Sequence, residues 1–350
     1  MLFLIKGISI IFFIIAIIYC CYLFSNAIEH LGVKLKLGNN ATGSILAVIG
    51  TSLPETIVPL VAIFGSILFN TNLSMGQDIA KGAIVGSPFI LSTLALFLMG
   101  IILIFKYKEK KELNVNYKYV LRDCKYFLCS YGLAILGVFV NNHLGKILIV
   151  CSLLALYLIF VYRTIIQSKK TFIESEVEGL VFAKLFCRNE CKKHGLKKCQ
   201  KCDSIYITIL QIIVSLVGLV FFSHYFVNEI EFISDFLKIN PVVLSLMLTP
   251  VATELPEIVN SIIWLKQEKD DLAIANVIGA IVFQAMIPCS IGIFLTSWKF
   301  GKIALLNMLI TFLCVTMFIV ICRFQKKIGI FPLIACGIFY FGFLILLFLK

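Results

Sequence analysis

Apolar runs of about 20 residues, the length that crosses a bilayer as a helix, recur from one end of this chain to the other. In hydrocarbon every backbone N–H and C=O must be satisfied within the segment, so such runs are helices or closed barrels. A barrel would show alternating segments of about ten residues, and none are visible. Of the 350 residues, 60% are hydrophobic and 14% charged, too few charges to cover a water-facing surface. The fold class expected is an all-α polytopic membrane protein with about ten transmembrane helices. The apolar runs lie near 2–24, 41–69, 79–105, 119–140, 145–166, 205–227, 240–264, 272–297, 302–322 and 328–349. Residues 1–24 have little basic n-region and no small-residue cleavage site, so they read as a retained first helix.

The formal net charge of +12 could point to nucleic acid in a soluble chain. Here the basic residues fall between apolar runs and carry topology instead. Alternate loops hold Lys34 and Lys36, Lys106 to Lys118, Arg163 to Lys201, Lys266 and Lys269, and Arg323 to Lys327. The intervening loops hold only Lys146, Lys238, Lys299 and Lys302. This bias places both termini outside the cell membrane and the 167–204 loop in the cytoplasm. The partners expected are membrane lipid and inorganic cations, with no nucleic acid; the oligomeric state is open.

The chain repeats itself. Gly50-Thr51-Ser52-Leu53-Pro54-Glu55 is followed by Asp78-Ile79-Ala80 and Val85-Gly86-Ser87; Ala252-Thr253-Glu254-Leu255-Pro256-Glu257 is followed by Asp271-Leu272-Ala273 and Ile278-Gly279-Ala280. The expected domains are 1–166, a first repeat, 167–204, a polar loop, and 205–350, a second repeat. Five helices per half, an odd number, force the halves into opposite orientations, and inverted repeats place a site near the bilayer midplane.

Glu55 and Glu257 fall near the middle of long apolar helices. A carboxylate at that depth is costly and marks function by default. The structural alternative is a salt bridge, for which only Lys81 lies at comparable depth. Pro54 and Pro256 supply no N–H to the carbonyls of Gly50 and Ala252, which are freed beside the acids, and Pro250 does the same for Leu246. Helical spacing sets Thr51, Ser52 and Glu55 on one face, and Thr253, Glu254 and Glu257 on another. Calcium takes 6–8 oxygen ligands, and these motifs offer no nitrogen or sulfur that would favour zinc or copper as the transported ion.

These residues resemble the sodium/calcium exchanger family of the calcium/cation antiporters, whose hallmark is Gly-Thr-Ser-Leu-Pro-Glu in each of two inverted repeats. Gly50–Glu55 matches in full; Ala252–Glu257 departs at Ala252 and Glu254. The resemblance implies a secondary-active antiporter exchanging calcium against sodium by alternating access. It makes Glu55 and Glu257 the central calcium ligands, with Thr51, Ser52 and Thr253 lining the ion positions. The family's partner helices carry a Gly-Ser-Asn-type motif. Here Pro88 follows Gly86-Ser87, and Ala280-Ile281 follows Gly279, leaving Ser87, Asn276 and Gln284 as the nearest polar groups. Of these, Ser87 and Asn276 join the expected ion-binding set. Three carboxylates close together cannot all stay ionised without a cation, so Glu254 is a candidate proton carrier and the alternative is proton-coupled or broad divalent-cation antiport.

Of 13 cysteines, most lie in apolar runs as small hydrophobes. Cys187, Cys191, Cys199 and Cys202 instead cluster in the 167–204 loop, with Cys-x2-Cys at the end, a pattern suited to structural zinc in a reducing compartment. No other cofactor is required. The chain lacks His-Glu-x-x-His, a Gly-x-Gly-Asp pair and a nucleotide loop, so nothing points to an enzyme.

Overall fold

The computed structural model describes residues 2–34, 52, 54–68, 73–106, 112–168, 179–186 and 205–348. The described chain is helical, with α1 (Leu2–Lys34), α2 (Pro54–Leu68), α3 (Leu73–Ile90, a π-helical turn Leu91–Ala95, and Leu96–Lys106), α4 (Tyr117–Phe139) and α5 (His143–Ser168). After the short α6 (Val181–Phe186) come α7 (Ile205–Leu237), α8 (Pro241–Lys266), α9 (Asp270–Leu295), α10 (Lys302–Gln325) and α11 (Ile330–Phe348). Among the described residues no strand forms; a single antiparallel bridge joins Glu112 and Gly329.

Eight of these helices are long and apolar enough to cross a membrane: α1, α3, α5 and α7 to α11. The two other apolar runs also form helices. The described part of the second begins at Pro54 and has 15 residues. The fourth carries Lys118, Arg122, Asp123 and Lys125 at its start. There Arg122 pairs with Asp123 at 2.6 Å, so part of that charge is neutralised locally. Large apolar side chains such as Phe12, Leu144, Leu158, Val217 and Ile338 stand exposed on the outer surface. Water would penalise such a surface and hydrocarbon does not.

Two helices run further than their hydropathy suggests. α1 was expected near 2–24 and continues to Lys34; α7 was expected near 205–227 and continues to Leu237. Ser25 and Asn26, which end the apolar run of α1, are buried inside the protein. Hydropathy registers their polarity, but packing decides the helix length. The π-helical turn of α3 also has a local cause. Pro88 offers no N–H to the preceding turn, and the hydroxyls of Ser92 and Thr93 donate to Phe89 O at 3.3 and 2.5 Å where the turn widens.

The core is divided. A large apolar cluster joins α3, α4, α5 and α8 to α11, with Phe127, Tyr131, Met286 and Phe318 at its centre. A smaller one joins α1, α2 and α7 to parts of α3 and α8. Helices α1 and α7 pack on each other, α1 also on α8 and α7 also on α2, while α4 and α10 flank the central α3 and α9.

Helices α3 and α8 approach backbone to backbone. A Cβ on Gly82 would meet Val242 O, and one on Gly86 would meet Leu246 O and Pro250 Cγ. Glycines four residues apart let two helix backbones touch, the arrangement by which membrane helices associate without a hydrophobic drive. Leu246 O is the carbonyl that Pro250 leaves without a helical N–H, and it faces the bare backbone of Gly86. Ser245 Oγ donates to Ile79 O at 2.7 Å and ties the same two helices. Gly82→Ala and Gly86→Ala should each destabilise the protein by about 1–3 kcal/mol through overpacking. This would appear as a lower unfolding midpoint in detergent. Gly342→Ala, where nothing lies within 4 Å, should show no such loss.

Candidate cation site

The proline-centred motif on α8 lies within a helix that stays continuous through Pro250 and Pro256. Glu254 and Glu257 are three residues apart, so they project from neighbouring positions on one side of α8. Glu55 stands in the first turn of α2. The three carboxylates converge, with one oxygen from each of Glu55, Glu254 and Glu257 lying within 4.8 Å of the others. All three are buried: Glu55 is 3% exposed, and Glu254 and Glu257 are 0%.

Gln284, on α9, completes the arrangement. Its Nε2 donates to Glu55 Oε2 at 2.7 Å and to Glu254 Oε1 and Oε2 at 3.2 and 3.0 Å. One amide therefore bridges acids from both motifs. Ser87 of α3 faces the Glu254 carboxylate. Thr253 Oγ1 lies 3.5 Å from Glu254 Oε1 and 3.4 Å from Thr249 O, at the long limit of a hydrogen bond. Asn276 acts at one remove. Its Nδ2 donates to the backbone O of Glu257 at 3.1 Å and to Ser261 Oγ at 2.9 Å, holding α9 against α8. Ser52 is buried beside the first motif, and Ala252 is buried in the second. Gly50 and Thr51 lie outside the described residues, as do Cys187, Cys191, Cys199 and Cys202.

Lys81, the one basic residue expected at comparable depth, is engaged elsewhere. It pairs with Asp78 at 2.6 Å and donates to Lys299 O at 3.1 Å. Three ionised carboxylates at this separation repel by about 3–4 kcal/mol per pair, even at an effective dielectric near 20. That sum rivals the whole stability of a domain, so cations or protons must enter the cluster. The acceptor balance agrees. Among the described residues Ser52 Oγ, Glu55 Oε1 and Gln284 Oε1 have no hydrogen-bond partner. A buried acceptor left so costs about 1–3 kcal/mol, and an oxygen-seeking cation would satisfy several at once. Hard carboxylate, amide and hydroxyl oxygens suit calcium, manganese or magnesium better than a soft metal.

The sequence reading named Gln284 as a nearby polar group but left it out of the ion-binding set. The available signal was its spacing, two turns beyond Asn276 on a helix otherwise poor in polar side chains.

A sequence model of the family described as sodium/calcium exchanger protein matches residues 6–166 and 207–349. No curated protein sequence matches the chain. Among solved structures, the H+/Ca2+ exchanger CAX is 16% identical, with a TM-score of 0.73 over 97% of this chain and 82% of that one. YfkE is 14% identical, with a TM-score of 0.63 over 95% and 91%. The sodium-calcium exchanger NCX_Mj, soaked with Na+ and Sr2+, is 18% identical, with a TM-score of 0.57 over 97% of both chains. At these identities the likeness is one of fold.

If the cluster holds a hard divalent ion, calcium at 100 times its dissociation constant should stabilise the protein by about 2.7 kcal/mol, raising its unfolding midpoint. Glu257→Gln should remove most of that rise. Glu254→Gln should stabilise the protein in chelator at alkaline pH, where the acid would be ionised and one of three repelling charges is removed.

Proposed function

The chain belongs to the sodium/calcium exchanger protein family, and from that premise we propose that it is a secondary-active antiporter carrying calcium across the cell membrane by alternating access. The observation that carries this is the convergence of Glu55, Glu254 and Glu257, all buried, at one point. In this reading Glu55 and Glu257 are the central calcium ligands near the bilayer midplane. Glu254, Ser52, Ser87 and Thr253, with Thr51 and the carbonyls of Gly50 and Ala252, line the calcium and counter-ion positions. Asn276 steadies the backbone of Glu257. The family moves ions and performs no covalent chemistry, which agrees with the absence of enzyme motifs.

The architecture proposed is ten membrane helices in two inverted repeats, 1–166 and 205–350, around the 167–204 loop. Two observations support it. Residues 24–55 align without a gap onto 226–257, pairing Phe24 with Phe226, Asn26 with Asn228, Ile28 with Ile230, Glu29 with Glu231 and Glu55 with Glu257. Helix packing follows the same exchange. Swapping α1 with α7, α2 with α8, α3 with α9, α4 with α10 and α5 with α11 turns the α2–α3 contact into α8–α9. The same swap turns α3–α8 into α2–α9, α4–α9 into α3–α10, and α5–α9 into α3–α11. All of these contacts occur. Lysine and arginine placement favours termini outside and the 167–204 loop in the cytoplasm.

The third carboxylate favours a second reading of the counter-ion. Calcium neutralises two of three charges, and Glu254 is free to carry a proton when calcium leaves. Sodium, or sodium and protons together, would serve the same balance. Radiolabelled calcium flux into proteoliposomes under separate sodium, potassium and proton gradients decides. Calcium uptake driven by a pH gradient without sodium is expected, with Glu257→Gln abolishing flux under every gradient. Sodium-driven flux with no pH-driven flux would reject the proton role of Glu254.

For the loop cysteines we propose a structural zinc held by Cys187, Cys191, Cys199 and Cys202, separate from transport. Purified protein should then contain about one zinc per chain, as expected for a four-thiolate site. Replacing Cys199 and Cys202 by Ser should lose it without abolishing calcium flux.

A further inference from the structure

Between the two family-matched stretches, the described residues 179–186 pack on the membrane helices. Leu180 and Ala183 are buried against Ala27 of α1, with Ile207 and Ile212 of α7 packed alongside, in an apolar cluster separate from both larger cores. The first N–H groups of a helix have no partner within it. For α6 those partners come from other helices. Asn26 Oδ1 of α1 accepts from Val181 N at 3.1 Å, and Gln211 Oε1 of α7 accepts from Phe182 N at 2.9 Å. The two capping side chains also hold each other, since Gln211 Nε2 donates to Asn26 Oδ1 at 3.1 Å and to Leu23 O at 2.8 Å. Asn26 is 5% exposed and Gln211 0%, so this polar node lies inside the protein.

Among the described residues the node is found at one end of the α1–α7 pair. Asn228, the repeat counterpart of Asn26, bonds His224 of its own helix at 3.3 Å. In the same register the counterpart of Gln211 is Ser9, which has no amide to cap a helix. In sequence the segment follows α5, which packs on α4 and α9 in the larger cluster.

Alternating access in an inverted repeat exchanges the environments of the two ends. A tie present at one end alone contacts the two states differently, and only a differential contact shifts an equilibrium between them. Building on the antiport reading, we infer that Leu180–Phe186 is a clasp, held by Asn26 and Gln211, that biases the transporter toward the conformation seen here. Leu180–Phe186 thereby sets the ratio of the two access states through its contacts with α1 and α7.

Two variants test this. Val181→Pro removes only the N–H that Asn26 accepts, at a first helical position where proline fits. Gln211→Met removes both of that residue's roles with little change in size. Half-saturating calcium is measured at each face, in right-side-out and inside-out vesicles. A biased equilibrium lowers apparent affinity at the face whose open state is depleted and raises it at the other. Loosening the clasp should shift the two constants in opposite directions, by up to about fivefold per hydrogen bond lost. Constants unchanged at both faces, or shifted in the same direction, overturn the clasp even if the variants are less thermostable. Absence of gradient-driven calcium flux in the unmodified protein removes the antiport reading, and the clasp with it.

Discussion

Three carboxylates held together away from water are the constraint on which the remaining structure depends. Left alone they would force the helices carrying them apart, and no lipid-facing position could tolerate them. Glu55 comes from α2, Glu254 and Glu257 from α8, and the bridging Gln284 from α9. Three helices must therefore meet at one point with enough rigidity to hold like charges together. The glycine contact of α3 against α8 supplies part of that rigidity, because backbones in direct contact cannot slide without a clash. The Asn276 bond to Glu257 O fixes α9 to α8 close to the acid itself.

The prolines act in the same place with less disruption than their chemistry first suggests. α8 passes through Pro250 and Pro256 without losing its helical course. A proline in a membrane helix needs only that the carbonyl it leaves unbonded find a neighbour. Leu246 O has Gly86 for that neighbour, which requires a residue without a side chain on α3. Pro250 of α8 and Gly86 of α3 are thus complementary, and neither has an obvious purpose when its own helix is considered alone.

How much was legible beforehand follows the same division between local and distant effects. Apolar runs located each helix core, because the bilayer imposes a length on any sequence that crosses it. Repetition singled out Glu55 and Glu257, and helical spacing added Glu254. The extensions of α1 to Lys34 and α7 to Leu237 were not legible, since Ser25 and Asn26 in one helix and Asn228, Glu229 and Ser234 in the other read as the end of an apolar run, whereas Ser25, Asn26, Glu229 and Ser234 are buried inside the protein. Gln284 was hidden for a related reason. A single amide on an apolar helix has no motif around it, and its role exists only because α2 and α8 bring Glu55 and Glu254 to it from far away in the chain. Asn276, expected in the ion-binding set, donates its Nδ2 to Glu257 O and Ser261 Oγ, a direction that spacing cannot carry.

Charge balance explains why an amide at Gln284 and an acid at Glu254 belong together. A fourth carboxylate in place of Gln284 would add about 3–4 kcal/mol of repulsion for each neighbour at this spacing. An amide avoids that and donates to Glu55 and Glu254 simultaneously. In the antiport reading proposed above those same oxygens are the ligands when a cation enters, and the Gln284 amide gives up its bonds or turns its oxygen inward, where Oε1 would join the cage as a neutral ligand. The amide satisfies the cluster only in part, since Glu55 Oε1 and Gln284 Oε1 have no hydrogen-bond partner among the described residues. A cation or a proton is therefore still drawn in, while the amide lowers the cost of the interval between one ion and the next.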